Sequence, residues 1–262
     1  MSIGSFTFVL HSHLPYVLQH GKWPHGMDWL NEAASETYIP ILNVLYELIN
    51  EGYSPKLTIG ITPVLTEQLA DPFFKEEFRS FLQSKIDAAQ KDQLYFKKTG
   101  EKQMIYLAQF WEKYYTDIKS DFENKYNQDL VGAFKKLSDL GYLDIITCGA
   151  THGYFPLLSQ DISIQAQVKT AISTHEKHFG KKPDGIWLPE CAYRPSYKWK
   201  PPIKIQILQE EYLRKGVEEF LSENNIKYFF VDTALTMGGK SLGVYIDRFE
   251  GLKSLWNQYK EQ

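Results

Sequence analysis

Five short apolar runs, ending at Leu10, Ile61, Cys148, Leu188 and Asp232, are separated mostly by stretches with helical spacing. That alternation restricts the chain to an α/β protein with a parallel sheet, because strand and helix periods take turns along it. Ile41, Leu42, Val44, Leu45, Leu48 and Ile49 recur at helical spacing before Gly52, a helix stop. The same spacing over Arg214 to Asn224 predicts a helix ahead of Tyr228-Phe229-Phe230-Val231-Asp232. Right-handed crossovers put the C-terminal ends of such strands on one face, where α/β folds hold ligands.

The regularity breaks between Thr62 and Gly141, which predicts a helical insertion at about 63–141. Its aromatics, Phe73, Phe74, Phe78, Phe81, Tyr95, Phe96, Tyr106, Phe110 and Trp111, are expected to pack helix on helix. A closed (β/α)8 barrel takes about 250 residues without large insertions. Five strand runs plus a long insertion leave such a sheet unfinished. Tyr245 to Tyr259 reads as one further helix, and no strand pattern follows before Gln262. The expectation is an open sheet, or a barrel lacking its C-terminal portion.

Charge narrows the partners. Formal net charge is -3 and no basic tract occurs, so neither nucleic acid nor an anionic membrane is an expected partner. The 6 Trp and 17 Tyr offer flat faces that suit sugar rings as well as cores. Cys148 and Cys191 lie in or just after strand patterns without metal-type spacing, as in a reducing compartment. Met1 leads almost directly into Phe6-Thr7-Phe8-Val9-Leu10 without signal-peptide features, and no run approaches membrane-spanning length. A cytoplasmic location is expected.

Three strand ends deliver His or Glu. In Gly185-Ile186-Trp187-Leu188-Pro189-Glu190-Cys191-Ala192-Tyr193-Arg194-Pro195 an apolar run stops on a carboxylate flanked by aromatics. Glu190 is either a catalytic group or a strand-end partner of Arg194. His11 and His13 follow the first strand and should point the same way by strand alternation. His152, in Thr151-His152-Gly153-Tyr154, follows the third. A metal-dependent hydrolase of amidohydrolase or deacetylase type could use the His11/His13 pair, with His152 and Asp232 completing a ligand set. The aromatic, Pro-rich surroundings suit a ring-binding cleft better. Sugar hydrolysis needs two carboxyl groups, about 5 to 5.5 Å apart in retaining enzymes. Glu190 supplies one. Asp232 is the obvious second at a strand end, or else it caps the loop that follows.

With His11-Ser12-His13-Leu14-Pro15-Tyr16, Gly60-Ile61-Thr62-Pro63-Val64-Leu65, Thr151-His152-Gly153-Tyr154 and Trp187 to Pro195 taken together, the chain resembles family 57 glycoside hydrolases, the α-glucan-branching members most closely. The resemblance implies an incomplete (β/α)7 TIM-like barrel and a retaining double displacement on α-1,4-glucan such as glycogen or amylose. Glu190 would be the nucleophile, and His11, His13 and His152 would line the donor subsite. Tyr16, Trp23, Trp187, Tyr193 and Arg194 would bind substrate, with no cofactor and no metal. A glucan 6-hydroxyl would resolve the intermediate to form an α-1,6 branch. In the family the general acid/base is an Asp in a later motif, which Asp232 does not match. The chain therefore reads as the N-terminal part of such an enzyme, either a truncated reading frame or one piece of a split protein completed by a C-terminal companion polypeptide, or as a non-catalytic glucan-binding remnant.

Overall fold

The computed structural model describes residues 3–4, 6–200 and 211–236. Strand β1 (Phe8–Ser12) is followed by α1 (Met27–Ala33), which runs through a π-helical turn at Ala34–Tyr38 into α2 (Ile39–Asn50). Strand β2 (Leu57–Ile61) then leads into four helices: α3 (Pro63–Ala70), α4 (Pro72–Thr99), α5 (Lys102–Ser120) and α6 (Leu130–Asp139). Strand β3 (Leu143–Cys148), α7 (Asp161–Phe179) and β4 (Gly185–Trp187) follow, then the short strands β5 (Tyr197–Trp199) and β6 (Tyr212–Arg214). Helix α8 (Val217–Glu223), β7 (Tyr228–Phe230) and α9 (Thr233–Thr236) complete the described elements.

The sheet has the order β1-β2-β3-β4-β7, a half-barrel of the α/β class. Parallel pairing joins β1 to β2, β2 to β3 and β3 to β4, with His11 opposite Gly60 and Cys148 opposite Trp187. All five strand runs read from the sequence are present. β1 continues two residues past Leu10, because His11 and Ser12 still pair with Gly60 and Ile61.

Two apolar clusters hold the layers together. In the larger, Ile59, Ile61, Leu143 and Ile145 meet α2, α3 and α6 through Leu42, Leu65, Leu69, Phe134 and Leu137. The smaller joins α7, β4 and α8 through Ile164, Val168, Ile186, Val217 and Phe220. Each such side chain contributes roughly 1.5 to 3 kcal/mol by leaving water. Helix α4 starts where Asp71 Oδ1 accepts the Phe73 N–H at 2.8 Å, with Pro72 preset for the first turn. It stops at Gly100, whose φ of 79° suits only glycine readily.

Two expectations need correcting. The helix read over Arg214 to Asn224 begins only at Val217, because residues 212–214 pair antiparallel with Tyr197–Trp199. The Glu219 carboxylate accepts the Gly216 N–H at 2.8 Å and fixes the new start. Among the insertion aromatics, Phe74, Phe78 and Phe81 are buried and Phe73 packs against the larger core. Tyr95, Tyr106, Phe110 and Trp111 are instead exposed. From Gln90 onward no α4 residue is buried, so among the described residues the far turns of the α4–α5 hairpin are covered mainly by each other.

The chain divides into two compact units, Met1–Phe229 and Phe230–Gln262. In the second, exposed Asp232 precedes α9, and its main-chain carbonyl accepts the Leu235 N–H at 3.0 Å. The helix read over Tyr245 to Tyr259 lies outside the described residues.

Candidate active site

The site grows from the C-terminal ends of β1, β3 and β4. His11 lies within β1 against Gly60, where an added Cβ would come within 2.7 Å of His11 Nδ1. Glycine at 60 is thus what makes room for the imidazole. The His11 ring stacks on Trp187, the last residue of β4, with centroids 4.9 Å apart and planes 11° apart. Both its ring nitrogens are buried and make no hydrogen bond among the described residues. His13 faces the same hollow, as strand alternation predicts. Its ring stacks on His152 at 3.8 Å, and its Nδ1 is 3.3 Å from the hydroxyl of buried Thr62. His11 and His152 stack at 5.7 Å.

Burial lowers the pKa of His11 to about 4, with the neighbouring His152 and His13 adding to the effect. Burial and His152 lower His13 to about 4 as well. His152 is also lowered, chiefly by burial, against the opposing pull of Glu190. Three neutral imidazoles therefore share the hollow near pH 7.

Glu190 lies in a 3-10 turn at Pro189–Cys191 immediately after β4. Its Oε1 is 3.9 Å from His152 Nδ1, and its side chain stays 71% exposed. Backbone at Glu190 (φ 57°), Cys191 (φ 52°) and His152 (φ 58°) is left-handed. Such conformations cost on the order of 1 kcal/mol each for non-glycine residues and persist only where the surroundings enforce them. Here the enforcement is visible: Cys191 N–H donates to the Leu188 carbonyl at 2.7 Å, and His152 N–H donates to that of Gly149 at 3.0 Å. The two turns nest at Gly149, where a Cβ would meet the Phe155 ring at 2.9 Å and Pro189 at 3.0 Å.

His11, His13, His152, Trp187 and Glu190 thus come together. Tyr16 and Trp23 lie outside this set of ring contacts, 56% and 76% exposed, with Tyr16 edge-on to His20. Tyr193 stacks on Phe229 at 5.9 Å and packs on the smaller core, its pKa raised by burial and by the Glu218 carboxylate. Arg194 does not present its guanidinium to a ligand: it is buried, donates to the Lys215 carbonyl at 2.6 Å and pairs with Asp161 at 3.5 Å. It does not pair with Glu190 either. Asp161 takes it, along with buried Arg214 at 2.8 Å, and so anchors the segment after Glu190. Two site residues escaped the sequence reading. Cys148 ends β3 fully buried, its thiol pushed up to about 12 by burial, and an apolar run disguises it as core. Thr62 was visible only as part of Gly60-Ile61-Thr62-Pro63.

A carboxylate beside neutral imidazoles and an indole face can hold sugar hydroxyls while leaving the carboxylate free to attack. The sequence profile of Glycosyl hydrolase family 57 matches residues 7–259. The chain belongs to this family. Across 242 residues the family 57 chain is 44% identical to a 1,4-alpha-glucan branching enzyme of Thermococcus kodakarensis, covering 92% of itself and 34% of that protein. Its fold is similar to a family 57-type branching enzyme from Pyrococcus horikoshii, with a TM-score of 0.82 and 45% identity over 89% of this chain and 42% of that one. An alpha-amylase from Thermotoga maritima is similar too, at a TM-score of 0.69 and 31% identity over 86% of this chain and 39% of that one. The chain thus spans well under half the length of the relatives it matches.

Proposed function

We propose that this chain supplies the nucleophile side of a retaining α-glucan site, and that the whole protein transfers glucan segments to form branches. Glu190 attacks the anomeric carbon, giving a glycosyl-enzyme; His11, His13 and His152 hold hydroxyls of the donor sugar, and Trp187 backs them. The placement of Glu190 Oε1 3.9 Å from His152 Nδ1, with both residues in enforced left-handed backbone, carries this reading. Similarity to named branching enzymes supports the substrate class, an α-1,4-glucan such as glycogen. The general acid comes from the part of the relatives' length that this chain does not span, which also completes the barrel, a C-terminal companion polypeptide being one way to supply it. A cytoplasmic setting suits the small cysteine complement, Cys148 and Cys191, neither of them in metal-type spacing. No described helix is long and apolar enough to cross a membrane.

An activated donor tests the nucleophile without the acid. Fluoride leaves without being protonated, so a 5-fluoro α-glucosyl fluoride should form a one-to-one adduct on the isolated chain. Peptide mass mapping is expected to place it on Glu190, and Glu190→Gln should remove it. An adduct elsewhere, or none, sinks the assignment.

A further inference from the structure

The sugar reading leaves one buried group unused. The Cys148 thiol, at the end of β3, sits with His11 and His152 so that one ligand atom from each lies within 4.8 Å of the other two. Cys148 is free and fully buried. A second observation comes from His11, both of whose ring nitrogens are buried without a hydrogen bond among the described residues. Two imidazoles and a thiolate are the donor set preferred by zinc-class ions. Bonds of about 2.0 to 2.3 Å place tetrahedral donors roughly 3.5 Å apart, so modest side-chain rotations would close the triad on an ion.

We infer that His11, Cys148 and His152 form a binding site for a thiophilic divalent cation of the zinc class. On binding, the Cys148 S–H gives its proton to solvent and a sulfur–metal bond forms, with no change of oxidation state. Three protein ligands leave a fourth position for water, on the side where Glu190 approaches His152. An ion there fills the hollow that would otherwise take a sugar ring. That last consequence rests on the function proposed above, whereas the metal site itself does not.

Cobalt(II), a coloured stand-in for zinc, tests it on the purified 262-residue chain. One ion per chain is expected, with a thiolate-to-cobalt charge-transfer absorption that zinc displaces. Cys148→Ser should abolish that absorption and weaken binding at least about tenfold, while Cys191→Ser leaves both unchanged. His11→Ala, checked for folding by circular dichroism, gives the same loss should Cys148→Ser prove unfolded. No binding, an absorption that survives Cys148→Ser, or one that vanishes in Cys191→Ser overturns the site. Stoichiometric zinc should also suppress the sugar adduct on Glu190, and undiminished labelling refutes the blocking. If no adduct forms even without zinc, the glucan reading fails while the cobalt result stands on its own.

Discussion

Glu190 and His152 each spend backbone strain to face one another, so their side chains should be hard to replace functionally. His152→Ala is expected to slow adduct formation about tenfold or more, the worth of one hydrogen bond in the transition state. Stopped-time mass spectrometry of the labelled chain measures this. The imidazoles also set an acid limit. His11 and His13 titrate near 6.5 when unfolded but at about 4 in the fold. Below pH 6.5 the unfolded chain therefore binds more protons, and stability falls until the native pKa values are passed near pH 4. Thermal melts should show Tm dropping by several degrees between pH 7 and 4.5, with His13→Gln flattening the slope. The histidines and Glu190 were legible because strand alternation and strand ends aim side chains predictably. Arg194 misled: its carboxylate partner, Asp161, is 33 positions upstream, and no local pattern encodes that pairing.

At the level of elements, glycine and phenylalanine set the tolerances. Gly60→Ala would press a methyl group onto His11 Nδ1, so it should both destabilise β1–β2 and displace the imidazole. A cost of about 1 to 3 kcal/mol is expected from chemical unfolding, along with loss of the sugar adduct. Phe78 is fully buried in the α4–α5 region, 4.8 Å from Phe122 and 5.4 Å from Phe74. Phe78→Ala should cost about 3 to 5 kcal/mol by the same measurement while leaving the hollow's chemistry in place. Strand runs were readable because they are short, apolar and bounded by breakers. The β5–β6 pair was not, since Tyr197–Trp199 and Tyr212–Arg214 owe their strand form to each other and, at three residues each, are too short to show a strand period.

Across the whole molecule, the sheet of described strands begins at β1, whose first residue Phe8 and the preceding Phe6 are 60% and 81% exposed. Apolar side chains along a terminal strand favour association. Phe8→Lys should lower the average mass seen by light scattering at a fixed concentration, and should weaken complementation by a C-terminal companion chain. An unchanged mass would show that this strand is not the sticky surface. Fold class was legible at this scale, because alternating periods require a parallel sheet. The resemblance also implied that the chain spans only part of its relatives' length, as it does.

Gly149 ties the fate of two reactive loops together. With the Phe155 ring and Pro189 both closing on a position that has no side chain, the turn carrying His152 and the turn carrying Glu190 fit like adjoining gear teeth. Warming should therefore loosen the segments carrying His152 and Glu190 in a single step, so that amide exchange at residues 150–153 and 190–192 accelerates at one shared temperature.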